Sequence, residues 1–403
     1  MNFFEKFEQA KYEFTYGEED DPENRNVLQV GLVAWFYLDK AYTQENRARM
    51  AQAFQLYQQE YGDKLKTGYF DDPNKVLDYT PKNTHNFAER ITNSYGDNCD
   101  FFWCSTDGFD HTGDYWVGAG SPAGWYELAH SRVSYFGFYL PVSELKDTSH
   151  LAALLKQFCI ILQPMHGLMG LGVQQSFERH RYQHLEYEIG QEFLGIDITN
   201  SNTNKGMRNG LRSINWQTFF NTQWLDKLGG ITHLKSVLQM QGIAITEYLG
   251  GVIIQAGEYP ELGWIKDNPY PSLYLAVNEA LKPIRTPYSG SLGYGSIAGE
   301  IRFDKRSTQE WLARFDKEPY TPPESLPSAP VEKAKERVTR YTDEIAPYTG
   351  RWGCIVNGTS QFVHLEAGKK LPFFEDKKGK KHHANWSLLE RDDKGSVFID
   401  VED

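Results

Sequence analysis

Two histidines four residues apart, His180 and His184, with Glu188 one turn further along, are the side chains in this 403-residue sequence that come nearest to a metal-binding pattern. On a helix that spacing sets both imidazoles on one face, as zinc helices do. The residue after the first histidine is Arg181, not the glutamate that acts as general base in a metalloprotease helix. Surface or partly buried histidines are therefore the favoured reading, and no metal is assigned. His382 and His383 are adjacent, so on a strand they face opposite sides, and Lys377, Lys378, Lys380 and Lys381 around them read as a solvated basic hairpin tip. The glycines of residues 290–299 lack the Gly-Lys-Ser/Thr ending that cradles phosphate, and no glycine-flanked serine elbow is present. Asp71/Asp72 and Asp392/Asp393 lie in polar stretches, where solvation removes the pKa shifts that acid–base work needs. Cys99, Cys104, Cys159 and Cys354 fit neither a disulfide scaffold nor a paired metal motif. With no catalytic residue and no cofactor to assign, the chain reads as a protein that recognises and does not transform.

Residues 107–116 carry the strongest recognition signal. Asp107, Asp110 and Asp114 alternate there with Phe109, Tyr115 and Trp116, which would give aromatic anchors ringed by charge. A calcium loop is disfavoured because the twelve-residue ligand spacing ending in Glu is missing. A loop folded back on its own sheet fits the same residues. Trp264, in a loop after Pro260-Glu261-Leu262-Gly263, joins them as an interface candidate, whereas Trp216 and Trp224 read as core.

Stepping outward to the elements, residues 28–38 form an apolar and aromatic run that predicts a strand buried on both faces, and residues 45–61 a helix with Met50, Ala53, Phe54 and Tyr57 on one side. Residues 62–92 show little periodicity. Strands are expected over 100–105, 133–140, 167–173 and 213–220, with Gly120-Ser121-Pro122 as a turn. Helices are expected over 149–162, capped by Ser149, over 177–194 and over 224–240. Residues 198–209 read as a polar connection. Prolines crowd residues 319–330, a semi-rigid linker, followed by a short charged helix over 331–342 and a small β-module. The domain expectation is 1–318, with 25–200 and 205–318 as candidate halves, then a connector over 319–347 and the module over 348–403. The fold class is α+β: mixed sheets covered by helices.

Bulk properties narrow the partners. A formal charge of -12 disfavours nucleic-acid binding, which needs clustered Lys and Arg, and suits a basic protein partner. The acidic start, Glu5 to Glu23, reads as a solvated, partly frayed end. No signal-peptide pattern and no run of about 20 apolar residues is visible, so a cytoplasmic protein without a membrane partner is expected. Nothing indicates a homo-oligomer.

One stretch is distinctive beyond its composition. Gln191-Glu192-Phe193-Leu194-Gly195-Ile196-Asp197-Ile198, Ile214-Asn215-Trp216, Leu228-Gly229-Gly230, Ile253-Ile254-Gln255-Ala256-Gly257-Glu258-Tyr259-Pro260 and Lys282-Pro283-Ile284-Arg285, with Gln163-Pro164-Met165-His166-Gly167 upstream, resemble the type VI secretion immunity family, long catalogued as a bacterial domain of unknown function. The resemblance spans residues 25–305. The tail, through Thr349-Gly350-Arg351-Trp352, Leu371-Pro372 and Trp386, is similar to small β-modules of other toxin-immunity proteins. The resemblance implies an immunity protein that binds and neutralises a cognate effector toxin, a nuclease among the candidates, by stoichiometric occlusion. An adaptor or chaperone that loads an effector onto the secretion apparatus is the first alternative; an enzyme with a His180/His184 metal site is the second.

Overall fold

The computed structural model describes residues 2–18, 21–177, 179–198, 206–286, 290–293, 295, 299–317 and 335–400. It opens with α1 (Phe3–Ala10), started by a capping box in which the Asn2 and Glu5 side chains each accept the other's backbone N–H. Phe7, Ala10 and Phe14 are buried. The acidic start is thus anchored through one apolar face, not frayed as expected.

β1 (Tyr16–Gly17) leads into β2 (Asn26–Leu38), the central strand. Its apolar run is buried on both faces, as expected, and its alternation divides two clusters: Leu32, Ala34 and Phe36 face the main core, Val33, Trp35 and Tyr37 the opposite side. α2 (Gln44–Tyr61), with Thr43 as its N-cap, buries Met50, Ala53, Phe54 and Tyr57 against the main core. The stretch that showed little periodicity forms β3 (Thr67–Phe70), β4 (Leu77–Asp78), α3 (Pro81–Thr84) and α4 (Phe87–Asn93), elements too short to show a period and held by buried Phe87 and Ile91.

β5 (Cys99–Cys104) and β6 (Trp116–Ser121) follow, so Gly120-Ser121 ends a strand and is not the expected turn. Then come α5 (Gly124–His130), β7 (Ser134–Leu140), α6 (Thr148–Leu162) and β8 (His166–Gln175). Asp147, not Ser149, caps α6 by accepting from the His150 N–H. The long helix expected from 177 is shortened to α7 (Gln183–Glu192), preceded by a separate 3-10 turn at Arg179–Arg181.

β9 (Gln217–Asn221) begins later than expected, because residues 213–216 are held by side chains: Asn215 Nδ2 donates to the Leu171 carbonyl at 2.9 Å. The helix expected over 224–240 is divided into α8 (Thr222–Lys227) and α9 (Gly230–Val237) by Gly229 and Gly230, both at positive φ. β10 (Ile243–Tyr248), β11 (Gly251–Ala256), α10 (Ser272–Leu281) and α11 (Lys305–Leu312) complete the body.

All these strands join one eleven-stranded sheet in the order β10-β11-β9-β8-β2-β7-β6-β5-β3-β4, with β1 beside β2, and every pairing is antiparallel. The segments weighed as two halves, 25–200 and 205–318, supply adjacent strands, since β8 pairs with β9. The architecture is α+β.

Residues 335–341, where a helix was expected, form β12 (Lys335–Arg337) and β13 (Thr339–Tyr341). Strand pairing wins there over local charge pattern: their partners are β19 (Phe398–Asp400) and β18 (Asn385–Arg391). Between them lie β14 (Gly350–Val356), β15 (Thr359–Leu365), β16 (Phe374–Glu375) and β17 (Lys381–His382). Trp352, Trp386, Leu371 and Leu388 give this module a core of its own. It meets the body at α5, where Arg337 Nε donates to the Ala129 carbonyl at 2.6 Å and the Trp125 indole N–H donates to Ser360 Oγ at 3.0 Å. The proline-dense connector, residues 319–330, and residues 331–334 lie outside the described residues, as do 199–205 of the polar connection.

A fully buried ion pair joins Asp197 to Arg212, 0 % and 1 % exposed. Arg212 Nη2 donates to Asp197 Oδ1 at 2.6 Å and Nη1 to the Ile198 carbonyl at 2.6 Å. Asp197→Ala would leave a buried guanidinium without its carboxylate, and a loss of about 3–5 kcal/mol in unfolding free energy is expected from urea titration. A second prediction concerns His166. Its ring is buried, Nε2 donates to the Met207 carbonyl at 2.7 Å, and burial lowers its pKa to about 4. An unfolded histidine titrates near 6.5, so below that pH the unfolded chain takes up a proton that the native chain refuses. This contribution is constant above about pH 6.5, and stability falls as pH drops toward 4, by roughly 3 kcal/mol in all. Urea midpoints at pH 7.5 and 4.5 should differ more for the parent than for His166→Gln.

Candidate functional site

The sheet face turned away from α2 and α6 is paved with rings. Tyr69 on β3, Phe102 on β5, Trp116 on β6, Tyr139 on β7 and Trp35 on β2 alternate there with glycines. None of the residues in these two clusters belongs to an α-helix. The glycines let the rings lie across the backbone. A Cβ at Gly118 would stand 2.6 Å from the Trp116 ring, one at Gly137 2.6 Å from Trp35, and one at Gly120 2.5 Å from Tyr135. Trp116 in turn lies 4.9 Å from Tyr139 and 5.8 Å from Trp35, centroid to centroid.

Residues 105–115 connect β5 to β6 at one end of this face. The connection is closed by the Ser105 N–H donating to the Tyr115 carbonyl at 3.0 Å, and its middle is tied to β2 by the Thr112 N–H donating to the Asn26 carbonyl at 2.8 Å. Its aromatic residues turn inward. Phe109 packs 4.7 Å from Phe102, Tyr115 lies 5.5 Å from Tyr61 and donates its hydroxyl to Glu144 at 3.0 Å, and Trp116 starts β6. Burial and the neighbouring Glu144 carboxylate push the Tyr115 phenol well above its usual range.

The three carboxylates turn outward. Asp107 is paired with Lys66 at 3.1 Å, and Asp114 accepts from Gln29 Nε2 at 2.9 Å. Among the described residues neither Asp110 nor Asp114 has an ion-pair partner. His111 of the same loop lies 3.3 Å from Asp21, which brings the acidic N-terminal stretch against the loop. Hydrogen bonds from Arg25 hold the Asp21 carboxyl well below the usual range.

Trp264 belongs elsewhere. Its ring stacks on Phe193 at 5.6 Å, its indole N–H donates to Glu192 at 3.4 Å, and it shares no ring contact or hydrogen bond with the 105–116 loop. The three possible metal ligands are also dispersed: His180 is exposed on the 3-10 turn, His184 on α7 faces Glu300 at 3.5 Å, and Glu188 is exposed further along α7. Among the described residues no three His, Cys, Asp or Glu side chains are grouped to hold a metal ion. A cavity of about 220 Å³ is lined by Asp39, Asn46, Arg49, Gln163 and Asn221 with apolar neighbours, and its lining includes no serine, threonine, cysteine, lysine or histidine. All four cysteines are buried as free thiols, and burial pushes Cys99 up to about 11 and Cys354 up to about 12. No described helix is long and apolar enough to cross a membrane.

One residue of the surface escaped the sequence reading. Phe177 was expected to open a helix, yet it stands two residues beyond the end of β8 and is 46 % exposed beside the acidic loop. The apolar side chain directly after the polar Gln174-Gln175-Ser176 was the available signal.

The ring face yields a test of its own. Gly137→Val would drive a branched side chain into Trp35, and a loss of about 1–3 kcal/mol is expected, with a shifted tryptophan emission maximum. Parent-like stability and emission would contradict the close approach.

Comparisons with known proteins agree with this architecture. A family model described as TsiV, type VI immunity for VRR-NUC, matches residues 49–315. No curated protein matches the sequence. Among solved structures, the T6SS protein PA0821 of Pseudomonas aeruginosa superposes with a TM-score of 0.68 at 23% identity, covering 78% of this chain and 91% of its own; at that identity the likeness concerns the fold.

Proposed function

This chain belongs to the family of type VI immunity proteins for VRR-NUC, and from that premise we propose that it binds a cognate VRR-NUC nuclease effector in the bacterial cytoplasm and neutralises it by occupying its basic surface. The family match across the body of the chain is the observation that carries this reading. Charge supports it: the molecule is acidic overall, at -12, and a nuclease must present clustered Lys and Arg to hold its phosphate backbone. Complementary potentials of that kind speed encounter and fix orientation.

In this reading Asp107, Asp110 and Asp114 form the acidic contact, with Phe109, Tyr115 and Trp116 as its inner support. Binding is stoichiometric and without turnover, and the role belongs to residues 1–318, the C-terminal module, which takes in β12 and β13 from Lys335 onward, being a separate unit. Trp264 joins the contact only if the effector reaches round to the Phe193 side of the body.

The test is direct. A catalytically inactive VRR-NUC effector from the same bacterium, mixed with this protein, should elute as a one-to-one complex, and co-expression with the active effector should restore growth. Affinity should fall as salt rises from about 50 to about 500 mM, because the screening length around exposed charges shortens from roughly 14 to roughly 4 Å in that range. Absence of a complex at low salt, together with failure to protect, would reject the proposal.

A further inference from the structure

We propose that Phe177 is the anchor of the effector interface and receives an arginine-bearing basic segment of the effector, an inference that rests on the function proposed above. The ring is exposed, yet it is held in place. It contacts Phe102 at 5.5 Å, Phe109 at 5.8 Å and Tyr69 at 5.9 Å, and the Phe177 backbone N–H donates to the Phe109 carbonyl at 2.9 Å. Through Phe102 it continues into Trp116, and so into the ring face of the sheet. A side chain ordered before the partner arrives loses little rotamer freedom on binding, and rigid aromatic residues at an interface centre are where binding energy concentrates.

Two carboxylates belong to the segments beside this ring. Asp110 follows Phe109 directly, and Asp114 is tied to Gln29, whose register partner Gln174 lies three residues before Phe177. These are the two aspartates of the loop without an ion-pair partner among the described residues. An exposed ring packed on a loop whose outward carboxylates include two without an ion-pair partner among the described residues suits a guanidinium, which is planar, stacks on aromatic faces and pairs with carboxylates through fixed donors. A lysine ammonium, compact and strongly hydrated, exploits the ring less well. The nuclease partner supplies the required charge, since its nucleic-acid surface is basic by necessity.

Calorimetric titration with the catalytically inactive VRR-NUC effector tests the assignment. Phe177→Ala should weaken binding by roughly thirtyfold or more, the scale of an interface hot spot. Phe177→Trp should keep binding within about threefold, since ring and cation–π capacity are retained. Phe177→Arg sets like charge against the expected arginine and should abolish binding while the urea midpoint stays near the parent's. Asp110→Lys with Asp114→Lys should weaken binding and flatten its salt dependence. Parent-like affinity in both Phe177→Ala and Phe177→Arg overturns this proposal and leaves the immunity function standing. Failure of the parent protein itself to bind overturns the function and this inference together.

Discussion

The body of this protein is organised around one buried ion pair. Asp197 belongs to the sheet through its backbone, its N–H donating to Leu171 and its carbonyl accepting from Val173, while its side chain holds Arg212. The next residue back, Leu211, exchanges hydrogen bonds with Ile284 and Thr286 at the end of α10. Arg314, after α11, donates to the Leu194 carbonyl and to Ser213. Five chain segments, around residues 171–173, 194–198, 211–213, 284–286 and 314, are therefore gathered around one carboxylate–guanidinium contact. Removing two charges from water is costly and is offset only when both partners arrive with their hydrogen bonds in place, so such a pair contributes more to the selection of one arrangement than to net stability.

A different constraint shapes the other side of the sheet. Antiparallel strands present side chains to both faces, and a face without helices must still exclude water from its backbone. Here it is excluded by rings lying on glycine: Trp35 over Gly137, Trp116 over Gly118, Tyr135 over Gly120. The result is a thin, stiff aromatic layer whose edge reaches the surface at the 105–116 loop. That layer explains how a carboxylate-rich loop can be well ordered. Phe109 and Trp116 are fastened to the sheet and Tyr115 to Tyr61 and Glu144, which leaves the aspartates as its outward-facing groups.

Much of the body was legible in the sequence because its signals are local and strong. The apolar run of β2, the helical spacing of Met50, Phe54 and Tyr57, and the burial of Trp216 and Trp224 follow from periodicity and from the cost of exposing apolar surface. Where the reading failed, partners distant in the chain decide the outcome. Residues 335–341 look helical alone and become strands because β18 and β19 bond them, and the acidic N-terminus looks solvated although three apolar residues pin it. Two glycines at positive φ broke a helix whose apolar pattern ran straight through them. The proposed contact surface was half visible. The acidic loop declares itself by composition, whereas Phe177 joins it only through tertiary contact with Phe109.

The position of β2 has a consequence for how the molecule comes into being. Leu32 pairs with Leu140 on one side and with Leu171 on the other, so the central strand is made early and both its neighbours late. At a synthesis rate of about 5–20 residues per second, the roughly 140 residues separating Leu32 from its partner on β8 take on the order of ten seconds to emerge. For that interval residues 29–38 of this apolar strand lack both of their long partners, β1 pairing only with the stretch from Asn26 to Leu28. Long-range pairing of this kind is slow and vulnerable to association with other chains. The central strand is fully paired only once Gln175 has been made, and the sheet as a whole only once Ala256 has, so the apolar middle of the sheet waits on its own margins.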